Sequence, residues 1–270
     1  MNNYKIETKC IQEGYKPENG EARVLPIYQS TTYKYESGEH LGKLFDLTAP
    51  GHMYTRISNP TVEFVENKIV SHIAVRVGVK DKILYDTFRG GVDENTLFDM
   101  ASVTKIMATT SLALIAIDRG LMSLDDPIDR FFPTDKAMTV KNLMTHTMGI
   151  GHKSLNIEGN TYENIAERIL EIPSDIQIGT DVLYSCPGFI LLGKILEKIF
   201  VEPLNKCFDE LVAKPLGLNN TSFLPMDTSH AVNSNLNVDK RGIVNDFNCQ
   251  FLGGVAGNAG LFSNLYDVTK

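Results

Sequence analysis

The stretch at 106–117 constrains this chain more than any other. Its apolar residues, Ile106, Met107, Ala108 and then Leu112 to Ile117 without a break, are interrupted only by Thr109, Thr110 and Ser111. At 3.6 residues per turn it is apolar nearly all round, the pattern of a helix enclosed by other elements. The helix is predicted over 102–118, with Gly120 as a cap just past its end. Such a helix needs further elements to wrap it, and periodic patterns supply them at about 140–147, 162–171, 188–200 and 204–212. Ahead of them, Ile73-Ala74-Val75-Arg76-Val77-Gly78-Val79 reads as a strand. Lys80-Asp81 reads as a tight turn and 82–88 as the returning strand of a hairpin. A hairpin followed by repeated short helices predicts an α+β body with an inserted helical lobe.

Composition supports a packed body. Of 270 residues, 43% are hydrophobic and 22% charged, which excludes wholesale disorder. The length fits one large domain or two small ones. The net charge of -7 argues against a nucleic-acid binder, which normally shows a basic face. Uninterrupted apolar runs such as 112–117 fall far short of the ~20 residues of a membrane span, so none is expected. Met1-Asn2-Asn3-Tyr4-Lys5 leads into no apolar stretch, so no secretory signal is seen and a cytoplasmic location is expected. Cys10, Cys186, Cys207 and Cys249 form no CxxC pair and are expected as free thiols in a reducing compartment. His146 and His152 form no carboxylate–histidine pair at ligand spacing, so no metal is expected, and His146 is assigned to ordering a loop.

The first 68 residues have a different character. Turn residues recur (Pro17, Gly20, Gly38, Pro50, Gly51, Pro60), and few positions could build a core. This arm is expected to be largely extended and to order against a partner surface. A helix is predicted at 60–69, where Pro60 suits the first helical position and Val62, Val65 and Ile69 share a face.

The candidate chemistry starts at Ser102-Val103-Thr104-Lys105. Residues three apart on a helix lie on one face, roughly 5–6 Å apart at Cβ. A serine hydroxyl is a poor nucleophile without a nearby base. A lysine serves if burial or a neighbouring cation lowers its pKa. Ser102 also falls at the predicted helix N-terminus, where the macrodipole favours negative charge. The spacing alone is weak evidence, since roughly one such pair arises by chance at typical usage.

Its surroundings are more specific. The motif, with Leu143-Met144-Thr145-His146-Thr147-Met148-Gly149, Tyr184-Ser185-Cys186, Lys214-Pro215-Leu216-Gly217-Leu218 and Gly253-Gly254-Val255-Ala256-Gly257-Asn258-Ala259-Gly260, resembles the penicillin-recognising serine hydrolases. The similarity lies in the branch of class C β-lactamases, D-aminopeptidases and related esterases. It runs from about residue 71 to 270 and implies a β-lactamase/transpeptidase-like fold. It also implies an acyl-enzyme on Ser102, with Lys105 as the neighbouring cation. Tyr184 would shuttle the proton, since a tyrosine with its ordinary pKa near 10 acts as a base only beside a cation. Cys186 stands where the family usually carries a polar substrate contact and departs from it, a thiol being a weak hydrogen-bond partner. Asn258 stands where relatives often carry histidine. The family's third motif and last sheet strands have no counterpart before Lys270, so an incomplete sheet and a missing C-terminal part of the domain are expected. An oxyanion hole reduced to one donor loses about 2.7–4 kcal/mol of transition-state stabilisation.

A second resemblance covers about residues 3–69. Glu7-Thr8-Lys9-Cys10-Ile11-Gln12-Glu13-Gly14-Tyr15, Pro26-Ile27-Tyr28-Gln29-Ser30-Thr31-Thr32-Tyr33 and Tyr54-Thr55-Arg56-Ile57-Ser58-Asn59-Pro60 resemble the start of the Cys/Met-metabolism pyridoxal-phosphate enzymes, O-acetylhomoserine sulfhydrylases above all. That implies Tyr54 and Arg56 as contacts to the cofactor phosphate of a neighbouring subunit, Arg suiting a bidentate grip. The cofactor-binding core and its lysine are absent, so no cofactor is expected. The chain thus reads as an arm, 1–69, joined to a hydrolase domain, 70–270. A gene fusion after a deletion and an assembly artefact would both produce it. The favoured expectation is a serine hydrolase acting on a small-molecule or peptide ester or amide. The alternatives are a non-catalytic fragment docking on a pyridoxal-phosphate enzyme subunit through residues 1–69, or a remnant of that transsulfuration chemistry.

Overall fold

The computed structural model describes residues 33–46, 48, 72–80, 82–233 and 241–270. The chain divides into two compact units, Met1–Asp93 and Glu94–Lys270. The predicted helix at 60–69 and the residues Tyr54 and Arg56 lie outside the described residues.

In the first unit, strands β1 (Ile73–Val79) and β2 (Lys82–Arg89) pair antiparallel, as the alternating pattern predicts. The register runs from Ile73 opposite Arg89 to Val79 opposite Lys82, with an irregularity between Val77 and Gly78. Arg76 and Asp86 face each other across it, 2.6 Å apart. Where the arm was expected to be extended, a helix forms instead: α1 (Gly38–Phe45). Local signals explain it. Ser37 caps the helix by accepting from the His40 amide at 3.0 Å. Glu39 sits in the first turn and pairs with Lys43 in the last, complementing the macrodipole. These signals outweigh Gly38, which makes the segment read as a turn.

The second unit is built round the helical run Ala101–Asp118, which is not one regular α-helix. It opens as a 3₁₀ turn (Ala101–Val103), widens to a π turn (Lys105–Thr110) and settles into α2 (Ser111–Asp118). Ser111 Oγ donates to Ile106 O at 3.2 Å across the widened turn. Gly120 follows the helix with φ +67, as expected of a residue just past a helix end. The run is as long and apolar as a short membrane span. Its packing is that of a core helix, because Ala108, Leu112, Ala113 and Ala116 are fully buried and α2 lies against the long helix behind it. Enclosure on all sides is not what the structure shows: Ile106 (69% exposed) and Leu114 (57%) face outward. Periodicity counts apolar residues, not neighbours, and no described residue of the second unit covers that side.

Further helices are α3 (Val140–Met144), α4 (Ile165–Glu171), α5 (Cys186–Phe200), α6 (Leu204–Phe208), a π turn (Asp209–Ala213) and α7 (Lys214–Leu216). The helix expected at 140–147 ends early, because His146 takes a left-handed φ of +58 and turns the chain. Helix α5 is the hub, touching α2, α3, α4 and α6. Its residues from Cys186 to Gly193 are all buried. Ser185 caps it by accepting from the Gly188 amide at 3.0 Å, with Pro187 in the first turn. A small antiparallel sheet completes the unit, ordered β3 (Phe98–Asp99), β5 (Leu261–Ser263), β4 (Ser222–Phe223). Short helices α8 (Phe247–Phe251) and α9 (Leu265–Val268) flank β5 in sequence.

Candidate active site

The site is assembled from three stretches of the second unit. The first is the start of the helical run Ala101–Asp118. Met100 N–H donates to Leu261 O at 2.9 Å, holding the end of β3 to β5. Asp99 then braces the turn: Oδ1 accepts from the Ala101 amide at 2.8 Å and Oδ2 from the Asn245 amide at 2.7 Å. Between them Ala101 has φ +43, a left-handed conformation that costs an alanine about 1–2 kcal/mol. The strained corner leaves Ser102 exposed at the open end of the helix. An amide in the first turn has no intrahelical acceptor.

The second element is Lys105, only 3% exposed. An ammonium has three N–H donors, and three acceptors surround Nζ: Ser102 Oγ at 3.1 Å, Asn258 O at 3.0 Å and Cys186 Sγ at 3.6 Å. Nζ also lies 4.9 Å from the centre of the Tyr184 ring. The Asn258 carbonyl is fixed from several sides. Its own Nδ2 donates to Asp246 Oδ1 at 2.9 Å. Thr109 Oγ1 donates to Gly257 O at 2.7 Å, and the Leu261 amide donates to Thr104 Oγ1 at 3.2 Å. Gly257 is required by close approach, since a Cβ there would sit 2.0 Å from Phe189 O.

The third element is the loop entering α5. Tyr184 is half-exposed, and its hydroxyl donates to Ser102 Oγ at 2.7 Å. Thus Ser102, Lys105 and Tyr184 come together within hydrogen-bonding distance. Cys186 joins them as a buried thiol behind Lys105. Cys186, Cys207 and Cys249 are all free and buried. Burial first, then Glu197, pushes the Cys207 thiol up to about 11. Burial, then Asp246 and Asp99, raises that of Cys249. His146 orders the Tyr184 loop: its carbonyl accepts from the Leu183 amide at 2.8 Å and its Nδ1 from the Ser185 amide at 3.1 Å. Burial first, and Lys105 second, hold the imidazole below its ordinary pKa. Among the described residues no group of three or more His, Cys, Asp or Glu side chains is placed to hold a metal ion.

The sequence carried no signal for two supports. The Asn258 carbonyl holds Lys105 through backbone, which side-chain identity does not encode. The left-handed corner at Ala101 depends on Asp99 reaching two amides, one of them 146 residues away.

Residues 62–270 match the family described as Beta-lactamase. The chain belongs to the beta-lactamase family. This family member is 30% identical to Esterase EstB of Burkholderia gladioli over 59% of its own chain and 48% of the esterase. It is 26% identical to a Salmonella agona (strain SL483) protein assigned as a D-alanyl-D-alanine carboxypeptidase, over 64% of this chain and 49% of that one. The chain spans about half the length of these curated relatives. A class C beta-lactamase shares its fold with a TM-score of 0.65 at 21% identity, covering 77% of this chain and 60% of that one. A beta-lactamase/D-alanine carboxypeptidase from Yersinia pestis complexed with citrate gives 0.55 at 18%, covering 73% and 60%. The expected α+β, β-lactamase/transpeptidase-like fold with a helical lobe is therefore found, and its described sheets are small and not closed. Residues 7–76 match a second family, Cys/Met metabolism PLP-dependent enzyme. Tyr54 and Arg56 fall in that stretch, outside the described residues.

Proposed function

We propose that this beta-lactamase-family chain carries the acylating centre of a serine hydrolase acting on small-molecule or peptide esters or amides. One observation carries the reading: Ser102 Oγ accepts from Lys105 Nζ at 3.1 Å and from Tyr184 Oη at 2.7 Å at the same time. To act as the base Tyr184 must first lose the proton it donates to Ser102; with that proton gone, Oη accepts the Ser102 proton as Oγ attacks the carbonyl, and Lys105 Nζ, 4.9 Å from the ring centre, stabilises the negative phenolate oxygen. The negative oxygen that develops is met by the Ser102 amide, free of an intrahelical acceptor at the first turn. Tyr184 returns the proton to the leaving group, which departs and leaves the acyl group on Ser102. Water, deprotonated by Tyr184, then attacks the acyl carbonyl, and Tyr184 returns that proton to Ser102 Oγ as the acyl–oxygen bond breaks and the acid departs. The names of the esterase and carboxypeptidase relatives support the substrate class.

The test is covalent labelling. A fluorophosphonate or penicillin-type probe is expected to add one adduct to the folded protein, mapped to Ser102 by peptide mass spectrometry. Ser102→Ala is expected to abolish it. Folded protein that takes no adduct, or takes it at another serine, overturns the reading.

A further inference from the structure

Tyr184 sits half-exposed on a loop, yet its hydroxyl must stay within bonding distance of Ser102. The residues on both sides of it are tied to one partner. The Leu183 amide donates to the His146 carbonyl, and the Ser185 amide donates to His146 Nδ1. The imidazole also lies against the tyrosine ring, centroids 4.6 Å apart, and against Phe189 at 5.1 Å. To reach all of these His146 adopts φ +58, a conformation uncommon outside glycine. The bond from Ser185 fixes the ionisation state, because Nδ1 accepts only when it carries no proton. A proton there turns the acceptor into a donor facing another donor.

We infer that His146 is the positioning residue that holds Tyr184 over Ser102, and that protonating it releases Tyr184 and switches off acylation in acid. The inference rests on the acyl-transfer reading above. The titratable groups facing the imidazole are Lys105 and Tyr184, and Phe189 presents only apolar surface. Burial and the Lys105 charge both oppose a second positive charge. The loss is thus expected below about pH 6.5, the ordinary value for histidine.

Two variants separate positioning from general stability. Asparagine tolerates left-handed backbone, and its side-chain oxygen can accept the Ser185 amide, but it does not titrate. Phenylalanine keeps a ring against Tyr184 and loses the acceptor. The rate of fluorophosphonate adduct formation is followed by intact mass from about pH 5 to pH 8, the range in which a histidine changes charge. In the native chain the rate is expected to fall as pH drops below about 6.5. In His146→Asn that acid fall is expected to vanish, with the rate at high pH kept within about threefold, less than a misplaced group costs. In His146→Phe the rate is expected to drop about 10–100-fold at every pH, the effect of a misplaced base. An unchanged acid fall in His146→Asn, or a native rate in His146→Phe, overturns the inference while leaving acyl transfer standing. A folded native chain that forms no adduct at any pH overturns both. If His146→Phe does not fold, the pH profile of His146→Asn decides.

Discussion

At the scale of single residues, the site is a set of short contacts whose removal has calculable effects. Tyr184→Phe deletes the hydroxyl 2.7 Å from Ser102 Oγ and leaves the ring in place. General-base assistance contributes about 10²–10⁴-fold, so adduct formation is expected to slow by that factor with little change in thermal stability. A scanning-calorimetry trace beside the labelling rate checks both. Ala101→Gly tests the strained corner. Left-handed backbone costs alanine about 1–2 kcal/mol, while glycine's extra chain freedom costs about 0.5–1 kcal/mol. A net gain of about 0.5–1 kcal/mol is expected in urea unfolding. A loss of stability would mean that the φ of +43 is not strained. His146 leaves a pH signature in stability as well. Its pKa is lowered on folding, so the unfolded chain binds protons more readily. Its contribution is complete above about pH 6.5 and is lost as pH falls toward the folded value. Urea midpoints measured across that interval should decline in the native chain and flatten in His146→Asn.

At the scale of elements, the close approach of α5 to the glycine-rich stretch 253–260 makes the sharpest prediction. Gly257→Ala would drive a methyl to 2.0 Å from Phe189 O, a rigid backbone atom. Gly253→Ala meets open space and suffers only from its φ of +82. Gly253→Ala is expected to cost about 1–2 kcal/mol, and Gly257→Ala clearly more, because two backbones must move apart. Denaturant unfolding of the pair gives the order. The same stretch shows what could be read in advance. The hairpin, α4, α5 and α6 were legible because Val75, Val77, Ile195 and Leu196 repeat at strand or helix periods. The meeting of Ser102, Lys105, Tyr184 and Cys186 was legible through motif resemblance; Tyr184 and Cys186 are too far along the chain for spacing to place them. The π turn at Lys105–Thr110 was not legible, because a helix that admits one extra residue keeps the same apolar pattern. Helix α1 was missed because Gly38 weighs as a turn residue when Ser37 is not recognised as its cap. The orienting roles of Asn258 and Asp99 run through backbone atoms of distant segments, which residue types do not report.

At the scale of the whole molecule, burial is unevenly distributed. Leu191, Leu192, Ile195 and Leu196 of α5 are fully buried, whereas β1 and β2 form a two-stranded sheet in which Val77 and Ile83 stay about half-exposed. A two-stranded hairpin is marginal by itself. Hydrogen exchange followed by mass spectrometry should therefore find β1–β2 amides exchanging well before those of α5. Equal protection would require the hairpin to unfold only with the core. The site itself rests on the buried helix α5, whose Cys186 accepts from Lys105 Nζ. The Tyr184 hydroxyl reaches Ser102 across 82 residues of sequence, and the Asn258 carbonyl reaches Lys105 across 153. Both contacts are long-range, so they are expected to form only with the fold of the second unit. A covalent serine reagent is therefore also a reporter of conformation: in a titration with urea, its incorporation should track the native population and disappear with the global transition.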